Sequence, residues 1–218
     1  MSTPLAFPLR TLLVSALLAA PLAAQEREPY VEDPDRPLEE ESGPSDDPLH
    51  ALEFAIGGDG VWFAYRSGLH RGDGYWTLGF LANQDDDLAL VGRFMRFAEP
   101  SADAPLGLGL GLGVVGARVD ESNDDLFAIT LTGAADLALD QVYDLTYPTR
   151  VGIEVSYAPD AATFADGTRV LDVLARVEMD LSSWATAFAG YRQFEVDLEN
   201  EDDAELDSAV HIGVRLGF

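Results

Sequence analysis

A strict alternation of two residue types runs along Leu106–Gly113, where every even position is leucine and every odd position is glycine. In a β-strand, a period of two places the leucines on one face and the glycines on the other. Glycine is unfavourable inside a strand, so we interpret its face as a crowded or curved place where no side chain fits. Four leucines on the opposite face indicate hydrocarbon surroundings. The segment predicts a β-strand between a crowded interior and an apolar exterior.

The period of two continues from Leu49 to the C-terminus, with turn-forming clusters at fairly regular spacing. This pattern predicts an all-β fold, an antiparallel transmembrane β-barrel of about ten strands, with eight as the alternative. The predicted strands cover residues 50–57, 61–67, 75–82, 88–97, 106–119, 126–139, 150–157, 168–181, 184–198 and 206–218.

The last predicted strand ends the chain on an aromatic residue. His211, Gly213, Leu216 and Phe218 match a polar, glycine, apolar and aromatic pattern that resembles the closing strand of bacterial outer-membrane β-barrels. The resemblance implies a C-terminal assembly signal that the barrel-assembly machinery reads. The apolar face of this strand comprises Val210, Ile212, Val214, Leu216 and Phe218.

The direction of the apolar faces separates two classes of barrel. A soluble ligand-binding barrel or a sandwich turns them inward, whereas an outer-membrane barrel turns them outward around a polar lumen. Long strands, a terminal Phe218 and aromatic residues near strand ends favour the membrane class, since tilted strands of roughly 9–11 residues cross a bilayer. The aromatic residues are Tyr65, Tyr75, Trp76, Phe97, Tyr157, Trp184 and Phe218.

The N-terminal sequence predicts an exported protein, and the chain as a whole divides into three predicted segments. Residues 1–24 combine Arg10, an apolar stretch and a small-residue cleavage site, as in a secretory signal peptide. Residues 25–48 are rich in acidic residues and proline, which predicts a disordered acidic leader. Residues 49–218 form the barrel domain, and the expected location is the bacterial outer membrane.

The formal net charge is −26, and all 13 basic residues are arginine. Such an acidic chain is a poor partner for nucleic acid. We expect outer-membrane lipids and lipopolysaccharide as partners, with general solvation as the main role of the acidic loops. Weak binding of divalent cations is the alternative, although Asp120–Asp125 departs from the EF-hand pattern of glycine and glutamate positions.

The sequence offers no arrangement of catalytic residues. Cysteine is absent, and His50, His70 and His211 lie next to no serine in a nucleophile motif. We therefore predict a protein that is not an enzyme and that holds no cofactor and no metal ion. His211 is interpreted as a hydrogen-bonded structural residue.

Charged residues on the polar strand faces predict the contents of the lumen. We expect cross-strand ion pairs between Glu53 and Arg215 and between Glu154 and Arg176, because unpaired buried charges destabilise a fold. The residues expected to point inward are Glu53, Arg66, Asp136, Glu154, Asp172, Arg176, Glu178 and Arg215.

The ninth predicted strand does not separate its faces cleanly. Arg192 shares a face with Trp184, Phe188, Phe194 and Val196, and we expect a β-bulge that changes the phase there.

Several segments together resemble the YfaZ-type outer-membrane family of Gram-negative bacteria. They are Gly79–Asp87, Tyr157–Pro159 with Phe164, Gly190–Arg192, and the closing His211–Phe218. The resemblance implies a small barrel and no reaction, and the acidic leader extends beyond the family pattern. The expected function is a structural or envelope-interaction role, with a narrow channel or small-solute carrier and a soluble ligand-binding barrel as alternatives.

Overall fold

A computed structural model describes residues 49–58, 60–69, 74–98, 105–120, 124–199 and 204–218. The predicted signal peptide at 1–24 and leader at 25–48 lie outside these residues. None of the described residues belongs to a helix long and apolar enough to cross a membrane. The strands are β1 (His50–Gly57), β2 (Gly60–Gly68), β3 (Gly74–Asn83), β4 (Leu88–Phe97), β5 (Leu106–Val119), β6 (Asp124–Ala138), β7 (Thr149–Ala158), β8 (Thr163–Ala165), β9 (Gly167–Ser182), β10 (Ala185–Leu198) and β11 (Ala204–Gly217).

Ten of these strands form a closed antiparallel barrel. Consecutive strands pair around the ring, β7 pairs directly with β9, and β1 pairs with β11 to close it. The short β8 pairs only with β6, beside the ring. The predicted ten-stranded barrel is therefore confirmed. The three-residue β8 was not predicted, because so short a segment carries too few residues to show a period.

The two ends of the barrel carry different connections. The strand order places the start of β1, the end of β11 and the turns after β2, β4, β6 and β9 at one end, which we call the terminal rim. The turns after β1, β3, β5 and β10, together with the segment from β7 to β9, lie at the opposite end, which we call the far rim.

The apolar strand faces point away from the barrel interior. The leucines of Leu106–Leu112 on β5 are 49 to 71% exposed, and the other strands continue this outward apolar surface. The predicted direction of the apolar faces is therefore confirmed. Further members of the surface are Leu52, Phe54, Ile56, Val61, Phe63, Leu78, Phe80, Leu90, Phe94, Val114, Phe127, Ile129, Leu131, Val155, Val177, Ile212 and Val214.

Inward-facing glycines lie beneath large side chains of neighbouring strands. A Cβ atom on Gly109 would lie 2.8 Å from the Phe97 ring, so β5 keeps glycine where β4 projects an aromatic residue. The Trp62 ring covers Gly79 in the same way, and the Phe188 ring covers Gly213. The predicted crowding on the glycine face of β5 is confirmed at Gly109, Gly111 and Gly113, whereas Gly107 borders open space.

The interior near the far rim is an apolar core, which we call the apolar plug. This differs from the expected polar lumen, because the large cluster of inward charges lies toward the terminal rim and the Asp207–His211 pair lies beside the plug residues. Bulky side chains fill the far half because strands from all sides contribute a buried apolar residue there. The plug contains Leu81, Ala89, Val91, Val115, Ala117, Val119, Leu126, Ala128, Ala158, Val170, Phe194, Val196, Leu198 and Leu206.

The mixed face of β10 points inward without a change of phase from Phe188 to Val196. Phe188, Arg192, Phe194 and Val196 are all buried, so the predicted phase change in this stretch is wrong. The apolar plug explains this arrangement, because it accepts aromatic and aliphatic side chains inside the barrel.

The irregularity opposite this stretch lies on β11. Phe194 pairs with Asp207 and Glu195 pairs with Glu205, which leaves Leu206 as the extra residue of a bulge. Leu206 and Asp207 are consequently both buried, although they are neighbours in the sequence. The bulge thus supplies one more side chain to the apolar plug.

We expect Gly79→Ala to destabilise the barrel, because the new methyl group would meet the Trp62 ring. Overpacking of this kind costs about 1–3 kcal/mol of unfolding free energy. Chemical unfolding followed by tryptophan fluorescence measures the loss. Gly133→Ala is the matched control, since a Cβ atom there has no atom within 4 Å. Equal stability of the two variants would contradict the packing role of Gly79.

Candidate functional site

A layer of charged side chains crosses the barrel interior between the apolar plug and the terminal rim. We call it the charged layer. The period of two brings each member inward from its strand, and the members come from β1, β2, β4, β7, β9, β10 and β11. They are Glu53, Arg66, Arg93, Glu154, Asp172, Arg176, Glu178, Arg192 and Arg215.

One half of the charged layer is centred on Arg215. Its Nη1 and Nη2 atoms donate to the two carboxylate oxygens of Glu178 at 3.0 and 2.8 Å, a bidentate pair. Its Nε and Nη2 atoms also donate to Glu53 Oε2 at 3.1 and 3.0 Å. Arg176 adds contacts to Glu178 at 2.6 Å and to Glu53 at 3.4 Å. Two carboxylates are thus held between two arginines.

The other half of the charged layer is centred on Asp172, whose side chain is almost fully buried. Arg192 Nε and Nη2 each donate to Asp172 at 2.9 Å, and Arg93 donates to the same carboxylate. Arg93 also donates to Glu154, which accepts a further bond from the Tyr75 hydroxyl at 3.1 Å. This half therefore links strands on opposite sides of the barrel.

Trp62 joins the two halves. Its indole Nε1 donates to Glu53 at 3.0 Å, and the Arg192 guanidinium lies over its ring at 4.4 Å from the centroid. A tryptophan in this position gives a cation–π contact to one half and a hydrogen bond to the other. The charged layer is consequently one connected network.

The structure brings together one of the two predicted ion pairs. Glu53 and Arg215 are directly opposite in the pairing of β1 with β11 and lie in contact. The Glu154–Arg176 pair is a wrong prediction, because the register of β7 and β9 places Leu174 opposite Glu154 and Gly152 opposite Arg176. Glu154 bonds to Arg93, and Arg176 bonds to Glu178 and Glu53.

Two arginines of the charged layer were missed from the sequence, Arg93 and Arg192. On β4, Arg93 shares its face with Val91 and Met95, while the opposite face also contains an arginine and apolar residues. Neither face is the polar one, so the sequence pattern carries no signal for Arg93. Arg192 is an exception on an aromatic strand face, and this exception is the one sign in the sequence that Arg192 belongs to the interior.

The closing strand places its signature residues on both faces. Gly213 lies under the Phe188 ring, and His211 Nε2 contacts Asp207 at 2.8 Å inside the barrel. Leu216 and Phe218 are exposed on the outward face. The polar and glycine positions of the signature therefore pack inside, and its apolar and aromatic positions lie outside.

The described residues contain no group of three or more histidine, aspartate or glutamate side chains that could hold a metal ion. Residues 121–123 of the predicted acidic loop Asp120–Asp125 lie outside the described residues, and His70 also lies outside them.

The interior space is divided by the charged layer. A cavity of about 310 Å³ lies on the side of the terminal rim, and we call it the terminal-rim cavity. Within the layer the cavity that water could enter measures only about 40 Å³, and the apolar plug follows. In the described part of the barrel, the space inside the layer fits little more than water. The cavity walls include Arg66, Tyr75, Phe97, Gly107, Asp136, Arg150, Glu154, Arg176, Glu178 and Arg215.

A second concave surface lies outside the barrel near the far rim. It is a groove of about 830 Å³, and it belongs to the outward apolar surface. Its apolar walls are Phe54, Ile56, Val61, Val210, Ile212 and Val214.

No protein-family model matches the chain, and no curated protein matches it. The YfaZ-type resemblance accordingly stays a prediction. A solved structure described as a bacterial polysaccharide outer membrane secretin is similar at a TM-score of 0.40 and 12% sequence identity. The likeness covers 75% of this chain, which spans 57% of the length of the secretin chain.

We expect Asp172→Asn to lower the unfolding free energy by about 3–5 kcal/mol, because two buried arginines would lose their shared counter-charge. Chemical unfolding monitored by circular dichroism measures this loss. Asp197→Asn is the matched control, since the side chains of the Arg169–Asp197 pair are 37 and 22% exposed. Such a pair contributes less than about 1 kcal/mol. A similar small loss for both variants would contradict a stabilising role of Asp172.

Proposed function

We propose that the protein is an outer-membrane β-barrel of a Gram-negative cell envelope, with a structural or envelope-interaction role and no open pore. The observation that carries this proposal is the filled interior of a barrel whose outer surface is apolar. The apolar surface supports membrane insertion, and the filled interior supports a closed barrel.

The distribution of outward charges supports insertion into a bilayer. Among the described residues, outward-facing charged side chains occur only within four residues of a strand end. This leaves a band without charged side chains around the middle of the barrel, as hydrocarbon requires. The outward charges are Arg96, Arg118, Asp125, Arg169, Glu195, Asp197 and Glu205.

Exposed aromatic residues flank this band. Trp76, Trp184 and Phe218 lie near the terminal rim, and Tyr157 lies at the end of β7 near the far rim. Aromatic side chains of this kind anchor membrane proteins at the level of the lipid head groups. A soluble ligand-binding barrel would instead turn the leucines of β5 inward around its ligand.

The charged layer and the apolar plug support a barrel without steady conduction. An ion would have to cross both of them, and the plug presents almost only apolar side chains in place of its hydration shell, since Asp207 and His211 beside it are already joined by a hydrogen bond. A narrow channel or small-solute carrier is the alternative function, and it would need a rearrangement of these side chains.

The same proposal includes the partners of the barrel. Outer-membrane lipids and lipopolysaccharide would surround the apolar band, and the barrel-assembly machinery would read His211, Gly213, Leu216 and Phe218. Divalent cations would bind weakly at the acidic loops of the far rim. We further propose that the protein is not an enzyme and that it acts by interacting with partners in the cell envelope.

We expect Leu110→Arg to impair insertion into lipid vesicles, because Leu110 is the most exposed leucine of β5 and lies near the strand middle. A charge near the bilayer midplane costs about 2–4 kcal/mol in such barrels, and about 0–1 near the interfaces. Leu49→Arg, at 51% exposure beside the terminal rim, is the matched control. Refolding yield into vesicles is the measurement. Equal yields for both variants would argue against a membrane-embedded band.

We expect the full-length protein in planar lipid bilayers to give no stepwise currents, because the charged layer and apolar plug block the lumen. A general porin reconstituted under the same conditions is the positive control. Insertion is checked separately by the heat-dependent gel mobility of the recovered protein. Regular current steps from inserted protein would overturn the closed barrel and favour the channel alternative.

A further inference from the structure

Arg66 is incompletely paired in the wall of the terminal-rim cavity. Its nearest carboxylate contact is Glu53 at 3.9 Å, whereas Arg215 binds the same oxygen at 3.0 Å. Its guanidinium lies over the Tyr75 ring at 4.1 Å from the centroid, and its Nε atom has no hydrogen-bond partner. The side chain is 20% exposed, so part of it faces the cavity. Arg66 therefore retains donors for a further acceptor.

The charge balance of the charged layer gives the same result. The layer contains five arginines and four carboxylates, and each of the other arginines has a carboxylate at 3.0 Å or closer. Within the layer, Arg66 is therefore the arginine without a close carboxylate. An anionic group in the cavity would complete its pairing, because a guanidinium binds carboxylate and phosphate through a planar fork of donors.

Asp136 supplies the opposite chemistry in the same cavity. Its carboxylate lies over Gly152, and no hydrogen bond or ion pair joins it to the described residues. A carboxylate in this setting accepts hydrogen bonds from an ammonium or hydroxyl group. The cavity thus presents one donor site and one acceptor site.

We propose that the terminal-rim cavity binds a small solute that carries both an anionic group and a hydrogen-bond-donating group. Arg66 binds the carboxylate or phosphate of the solute, and Asp136 accepts from its ammonium or hydroxyl group. A volume of about 310 Å³ suits a solute of amino-acid size. This inference goes beyond the proposed function, because it is independent of whether the barrel conducts.

The binding experiment uses full-length protein in detergent micelles and three probes. We expect L-glutamate to bind with a Kd of about 1 mM or tighter by calorimetry. Succinate has no ammonium group and should bind several-fold more weakly, and putrescine, a dication, should not bind. Equal affinities for glutamate and succinate, or no binding of glutamate at 10-fold higher concentration, would overturn the proposal.

Two glycine-to-leucine substitutions on β5 test where glutamate binds, and neither of them removes a charge. A Cβ atom on Gly107 would lie 3.8 Å or more from its neighbours and would point into the cavity, so Gly107→Leu should block binding in a folded barrel. Gly116→Leu is the matched control, since its Cβ atom would meet nothing within 4 Å. Unchanged glutamate affinity in Gly107→Leu would place binding elsewhere and overturn the site.

Two further variants test the assigned roles. Arg66→Gln should weaken binding of both anions at least about tenfold, because it removes a charge-assisted contact. Asp136→Asn should weaken glutamate alone and so abolish the preference over succinate. Arg118→Gln, on the outward face near the far rim, is the control for loss of one arginine. Heat-dependent gel mobility verifies folding, and full affinity in Arg66→Gln would refute the role of Arg66.

Discussion

The pairing of β1 with β11 is the constraint on which the rest of the structure depends. Without it, both strands would be open edges with unpaired backbone groups, which membrane hydrocarbon does not tolerate. Its register runs from Ala51 opposite Gly217 to Gly57 opposite His211, and it places Glu53 opposite Arg215. The same contact that closes the backbone thus creates the central ion pair of the charged layer. A shift of the register by one residue would turn Arg215 outward, away from Glu53.

Closure also creates the problem of filling the interior. Many large aliphatic residues face outward, so in the half near the terminal rim small inward residues alternate with side chains long enough to cross the lumen. Glycine under an aromatic ring is the recurring solution, as at Gly79 beneath Trp62 and Gly213 beneath Phe188. Arginine is the polar equivalent, because its long stem reaches across and its guanidinium satisfies two carboxylates at once. Both solutions leave little open volume.

The sequence predicted the strands well, because each strand repeats its period over many residues and each turn interrupts it. It also predicted the direction of the apolar faces and the contact of Glu53 with Arg215, since closure of an even-stranded barrel makes β1 and β11 neighbours. It did not predict the contact of Arg93 with Asp172, which joins β4 to β9 across 79 residues of sequence. A period of two shows which residues face inward, but it gives neither their heights nor their partners across the lumen. The aromatic face of β10 was misread for a related reason, because a polar lumen was expected along its whole length.

The division of the interior explains why one half of the barrel can carry a function that the other half cannot. The apolar plug stabilises the barrel mainly through packing, and the polar pair beside it, Asp207 and His211, is already joined by a hydrogen bond. The charged layer meets water on the side of the terminal rim, where residual donors of Arg66 and the carboxylate of Asp136 are accessible in one cavity. In the network behind them, every arginine other than Arg66 has a carboxylate at 3.0 Å or closer. The outer surface is mainly apolar around the whole barrel, but the interior differs at its two ends, and the cavity lies at the end where β1 starts and β11 finishes.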